Sequence, residues 1–405
     1  MRLTKDSEQL IKCILDNNFF YLSKKENAKM IKIKKIIYED IKSSYNYTNK
    51  YILFNPLKPI VKNEKPNIMV YSKFVPQLIK EDIKSHYKWK LIYNINIDNK
   101  NLKIIFGIKS ETFPKNIFDN KVKHIIALVK YFLLYTKNDK IKNISLYLYL
   151  TPYKKYIPSN PIDVLSPTHC NSALTYPCEK NVSIFLFRDE EWFKVLAHEI
   201  MHAFCLDFSV FKTNMVQNEL YKIFPIKSDF LLSETYAEYW ATFTNCAFIS
   251  YNQYLDTNDF KDFKIYFNIL YNFEKYFAFI QCVKILNHMN LKYKNLFDNT
   301  IKKEIKGMMY KENTNVFVYY ILKLIFYYFD NDFLSICFDN NDNIIHFDKT
   351  ELNLKRILKF IKKKHDNPQL LSKIKLFETM VDNFNMSKHD FVLKTNRMTI
   401  NDILL

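Results

Sequence analysis

Two histidines four residues apart, His198 and His202, stand inside the apolar run Val195-Leu-Ala-His-Glu-Ile-Met-His-Ala-Phe204. No other feature constrains the fold of this chain as strongly. On an α-helix, residues four apart share one face about one turn apart, so both imidazoles reach a single point. Zn²⁺ accepts neutral imidazole nitrogens, and a catalytic zinc takes a third protein ligand and keeps one position open. Glu199, directly after the first histidine, is the candidate general base. The alternative is a pair of buried structural histidines, each needing its own hydrogen-bond partner.

The flanking sequence predicts a strand feeding this helix. Val182 to Phe187 is a short apolar run with strand character. Asp189 then offers an N-cap, and Glu190 and Glu191 put negative charge where a helix dipole favours it. Trp192, Val195, Leu196, Ile200, Ala203 and Phe204 follow at helical spacing around the two histidines.

A third ligand is expected downstream. Leu231 to Phe243 is a second apolar helix, with Glu234 and Glu238 four residues apart. Like charges at that spacing mildly disfavour a helix, and unpaired carboxylates on a packed face would cost several kcal/mol. A zinc ion answers for Glu234, and a metal-bound imidazole, whose other N–H needs an acceptor, answers for Glu238. Ala237 and Ala241 would let this helix approach the first one closely. The alternative is that both glutamates face water. Asp207 and Cys205 are rival ligands nearby; otherwise Asp207 serves the helix end and Cys205 is a small buried apolar residue.

With these residues in place, the stretch from about 182 to 245 resembles the gluzincin branch of HExxH zinc metallopeptidases. The resemblance implies His198, His202 and Glu234 as metal ligands, Glu199 as catalytic base and Glu238 as the acid orienting a ligating histidine. Ser233 stands where that branch commonly has asparagine, and the metzincin extension is absent, with Cys205 and Phe208 in place of its glycine and third histidine.

Composition sets the remaining bounds. With 405 residues, 48% apolar and 25% charged, the chain is globular rather than disordered. It has only two glycines, and arginine stands only at Arg2, Arg188, Arg356 and Arg397, the usage of an AT-rich genome. With the motif pair, this composition resembles HExxH proteins of large nucleocytoplasmic DNA viruses, which implies a viral protein. The net charge of +18 is spread along the chain as lysine, without the arginine forks of specific base readers, so no specific nucleic-acid partner is expected. Seven cysteines with no Cys-x-x-Cys pair predict no disulfide framework. The first residues lack the apolar core of a signal peptide, and Lys130 and Lys323 interrupt the best candidates for a membrane span. A cytoplasmic or virion-interior setting is expected, and the sequence leaves the oligomeric state open.

The expected architecture is α+β and zincin-like. It has an N-terminal helical region (1–80), a sheet with the HExxH helix (81–225) and a helical half carrying the glutamate ligand (226–405). Within it, Lys88–Asp98 and Leu102–Ile108 predict a hairpin joined by Asn-Lys-Asn, Ile117–Thr136 a helix, and Ile144–Leu150 a strand. Thr151–Lys180 predicts a long loop, whose end, Asn171–Pro177, either edges the cleft as a substrate-pairing segment or merely covers it. The helix beginning at Asn313 offers Tyr319 and Tyr320 as oxyanion donors, with His288 as a competitor and simple core packing as the alternative. The function expected is zinc-dependent hydrolysis of a peptide or protein substrate. The rival is a virion-structural or protein-binding module on the same scaffold, without turnover.

Overall fold

The computed structural model describes residues 2–17, 26–253 and 259–404. Asp98 and Asn99 take positive φ (48° and 63°), the left-handed conformation that suits a two-residue hairpin turn. They join Trp89–Ile97 to Lys100–Ile108 in antiparallel register, Ile97 opposite Lys100. The turn therefore falls on Asp98-Asn99 rather than on the expected Asn-Lys-Asn, because Asp and Asn tolerate the left-handed region best.

One six-stranded sheet grows from this hairpin. Its strands are β1 (Ile60–Asn63), β2 (Trp89–Ile97), β3 (Lys100–Ile108), β4 (Asn143–Leu148), β5 (Ala173–Thr175) and β6 (Asn181–Leu186), in the order β1-β2-β3-β4-β6-β5. The β3/β4 and β4/β6 pairs are parallel, and the others are antiparallel. A small antiparallel pair ties Arg2–Leu3 to Ile403–Leu404, near the two ends of the chain. The fold is thus α+β. The segment expected to be all loop contains β5, a short edge strand.

Side chains alternate across the sheet. Ile184 and Leu186 enter the main core, whereas Phe185, between them, packs with Tyr149, Val70 and Ile79 on the other face. Gly107 is one of the two glycines, and a Cβ there would sit 2.2 Å from the Tyr149 ring. The close approach of that ring is what excludes a side chain. The main buried cluster runs from Leu10 to Ile403 and takes in the helices on the opposite face. No helix among the described residues is long and apolar enough to cross a membrane.

β6 leads into the motif helix, Trp192–Ala203, every residue of which is buried. It packs against the glutamate helix, Leu232–Gln253, where only Glu234 and Gln253 escape full burial. Both helices are buried on nearly every side, as core helices are, and the small Ala237 and Ala241 side chains lie buried there. The expected N-terminal cap needs correction. The helix starts at Trp192, with Glu191 at the cap position in the left-handed region (φ 61°). Glu190 and Glu191 do not face solvent near the dipole. Glu191 pairs with Lys155 and accepts the backbone N–H of Met398 at 2.7 Å, and Glu190 accepts the Lys155 N–H at 2.8 Å. Buried cationic partners decide their position.

Candidate metal centre

The helical spacing brings the two imidazoles together. His198 and His202 have ring centroids 4.8 Å apart in a T-shaped arrangement, with their Nε2 atoms 3.1 Å apart. Glu234 reaches in from the neighbouring helix, its Oε2 lying 3.1 Å from His198 Nε2 and 3.3 Å from His202 Nε2. These separations test whether zinc fits. Four ligands at Zn–N and Zn–O bonds of about 2.0–2.1 Å in a tetrahedron stand about 3.3 Å apart. The three donor atoms already form one face of such a tetrahedron. Among the described residues, His198, His202 and Glu234 are the group of acids, histidines and cysteines able to share an ion.

The far nitrogens of both rings are tied down. His198 Nδ1 lies 3.1 Å from Glu238 Oε2, and His202 Nδ1 hydrogen-bonds Asp207 Oδ2. With Nδ1–H donating to a carboxylate in each case, the Nε2 lone pair is the one presented to the cluster. Glu238 is fully buried and also accepts from Lys194 Nζ (2.9 and 3.0 Å) and Lys323 Nζ (3.1 Å). Asp207 reaches His202 because the motif helix ends in a tight reversal: Leu206 N–H donates to Met201 O, Cys205 N–H donates to His202 O, and Cys205 takes φ 59°. Asp207 Oδ1 then accepts from the Ser209 hydroxyl at 2.9 Å.

The electrostatics favour a cation here. Burial works to raise the Glu234 carboxyl, but the charges and hydrogen bonds of His202 and His198 overcome it and hold the group well below its usual range. Burial works against a charged His202, yet Glu234 and Asp207 carry its imidazole well above the usual value. Both carboxylates therefore favour positive charge at this point. Burial raises the pKa of Glu199, on the same helix, despite the opposing pull of His198 and His202.

The cluster forms part of the lining of a cleft of about 1360 Å³, with Glu199, Tyr319 and the edge strand β5 also on its wall. Among the described residues β5 pairs only with β6, which leaves its outer edge without a strand partner. Tyr319 lies on a π-helical turn, Phe317–Leu322, an irregularity frequent at functional sites. Its hydroxyl donates to Glu234 Oε2 at 2.8 Å. Tyr320 is not at the cluster: its hydroxyl donates to Asn396 O at 2.8 Å in the core. His288 also lies elsewhere, its Nε2 2.9 Å from Asp163 O.

Three features escaped the sequence reading. Asp207 stands behind His202 and is neither ligand nor simple helix-end acid. Lys194 and Lys323 converge on Glu238; a lysine one turn before His198 on an otherwise apolar helix was a readable signal that a buried acid waits nearby. Cys205 is bonded to Cys178 across a separation of 27 residues, which corrects the expectation of no disulfide. An odd cysteine count does not forbid one pair, and the turn after β5 brings Cys178 beside the helix end, its N–H donating to His202 O at 3.3 Å. No family model, curated protein or solved structure matches this chain.

Proposed function

We propose that the protein is a zinc-dependent metallopeptidase with a zincin-like arrangement of sheet, motif helix and glutamate helix. One observation carries the reading: His198 Nε2, His202 Nε2 and Glu234 Oε2 lie 3.1–3.3 Å from one another, each ring is backed by a carboxylate, and Glu199 stands beside them in an open cleft. His198, His202 and Glu234 would hold the ion. When bound, zinc supplies a Lewis acid that polarises a carbonyl and makes water more acidic.

The remaining roles belong to the chain itself. Glu199 accepts the proton of the attacking water at its carboxylate and passes it to the leaving amine nitrogen. Tyr319 donates its one hydroxyl proton to Glu234 Oε2, and turning that hydroxyl away from Glu234 would let it donate instead to the negative charge developing on the substrate carbonyl oxygen. The outer edge of β5 offers backbone N–H and C=O groups to an extended peptide lying along the cleft. Elemental analysis of zinc-supplemented protein, followed by digestion of a peptide library, tests the proposal. One zinc per chain and metal-dependent cleavage, abolished by chelation, are expected. Absence of bound metal overturns the reading, and bound metal without cleavage favours a binding module on the same scaffold.

A further inference from the structure

Glu238 is an unusual buried carboxylate, because two ammonium groups converge on it. Its Oε1 accepts from Lys194 at 2.9 Å and Lys323 at 3.1 Å, and its Oε2 accepts from Lys194 at 3.0 Å and lies 3.1 Å from His198 Nδ1. Both lysines are 2% exposed, and neither touches solvent to any useful extent. Burying two cations beside one acid is costly; Glu191 also attracts Lys194, and Glu274 attracts both lysines, but Glu238 is the carboxylate that takes hydrogen bonds from the two of them. The arrangement does more than neutralise charge. One oxygen is occupied entirely by lysine, so the other is left turned toward the imidazole. Lys194 approaches from the motif helix, one turn before His198, whereas Lys323 approaches from the end of the π-turn and is itself anchored on Met398 O at 2.6 Å. The plane of the carboxylate is thus set from two different elements.

We propose that Lys194 and Lys323 are positioning residues that fix the Glu238 carboxylate and, through it, the ring of the metal ligand His198. This inference rests on the metal-centre reading above. It also makes the C-terminal segment around Met398 a support of the centre, through Lys323.

A double-mutant cycle on zinc affinity tests it, with affinity read by chelator competition and ligand geometry by the visible spectrum of the Co²⁺-substituted protein. Lys323→Met is expected to weaken zinc binding about 10-fold and to shift the Co²⁺ bands, and Glu238→Gln to weaken it about 10- to 100-fold. In the Glu238→Gln background, adding Lys323→Met is expected to cause no further loss, because the lysine acts only through that carboxylate. Lys194→Met, on the other side of Glu238, supplies the same cycle if Lys323→Met does not fold. Additive losses, or unchanged affinity and spectrum in the lysine variants, overturn the proposal while leaving the metal centre standing. A wild-type chain that binds no zinc overturns both.

Discussion

Asp207 Oδ2 hydrogen-bonds His202 Nδ1, so the second histidine of the motif has its own buried acid just as His198 has Glu238. Asp207 is fully buried, and its other oxygen is held by Ser209. An acid that fixes the ring and tautomer of a ligand typically contributes 10- to 100-fold to metal affinity. Asp207→Ala is therefore expected to weaken zinc binding by about that factor, and Asp207→Asn by less, because the amide oxygen still accepts the Nδ1 proton. Chelator competition measures both. Wild-type affinity in Asp207→Ala would reduce the residue to a support of the helix end.

Glu199→Gln is expected to retain metal and fold but to lose peptide hydrolysis. The amide matches the carboxylate in shape and cannot take the proton of water. Zinc content, melting temperature and turnover, measured together, separate this from general damage. Equal turnover in variant and wild type removes Glu199 from the mechanism.

What the sequence made legible was local, and what it hid was long-range. The i,i+4 spacing of His198 and His202, and of Glu234 and Glu238, puts each pair on one helix face by geometry, and the need of buried carboxylates for a cationic partner, with the resemblance to gluzincins, joined the two pairs. The β2–β3 hairpin and β6 were readable from apolar alternation and turn residues. Asp207 was visible as a rival ligand or a helix-end acid but not as the partner of His202 Nδ1, because that contact depends on the reversal at Cys205. Lys323 meets Glu238 across 85 residues of chain, and a lysine among so many lysines carries no mark of such a partner. Tyr319 and Tyr320 are neighbours in sequence, and the π-turn sends one hydroxyl to the centre and the other into the core. Cys178 and Cys205 pair because β5 doubles back beside the motif helix, a packing fact that cysteine spacing does not encode.

The two tyrosines give opposite expectations. Tyr319→Phe removes a hydroxyl 2.8 Å from Glu234 and is expected to lower kcat about 100-fold with zinc retained. Tyr320→Phe removes a buried hydrogen bond to Asn396 and is expected to leave kcat near wild type while lowering stability by about 1 kcal/mol. Steady-state kinetics and a denaturant melt distinguish them. Unchanged kcat in Tyr319→Phe would leave that hydroxyl as an orienting partner of Glu234 alone.

The Cys178–Cys205 bond joins the turn after β5 to the end of the motif helix, across 27 residues. Closing a loop of that size stabilises a fold by about 3 kcal/mol, mainly by restricting the unfolded chain. Cys178→Ser, or reduction of the wild type, is expected to lower the melting temperature. It is also expected to raise KM for peptides more than it lowers kcat, because β5 forms one wall of the cleft. Melts with and without reductant, and the intact mass after thiol alkylation, check the first expectation. Indifference to reductant in both melt and KM would show that the bond contributes to neither.

His124 sets an acid limit on stability. It lies on the helix Lys115–Leu133 away from the candidate metal centre, 6% exposed, with its Nδ1 2.6 Å from the Tyr45 hydroxyl. Tyr45 in turn accepts from Asn252 Nδ2 at 2.7 Å, which leaves its own proton available to an unprotonated Nδ1. Burial, helped by Lys123 and Lys121, pushes the imidazole down to about 3 from an ordinary value of 6.5. Between those two values the unfolded chain binds a proton that the folded chain refuses. Unfolding is therefore favoured progressively as pH falls through the window, by up to about 1.4 kcal/mol per pH unit from this group. His124→Gln keeps an acceptor for Tyr45 and cannot titrate. Its stability is expected to fall less steeply than that of the wild type between about pH 6 and pH 4, and denaturant melts across that range measure the difference. Parallel pH profiles for the two chains would show that His124 is not a source of acid sensitivity.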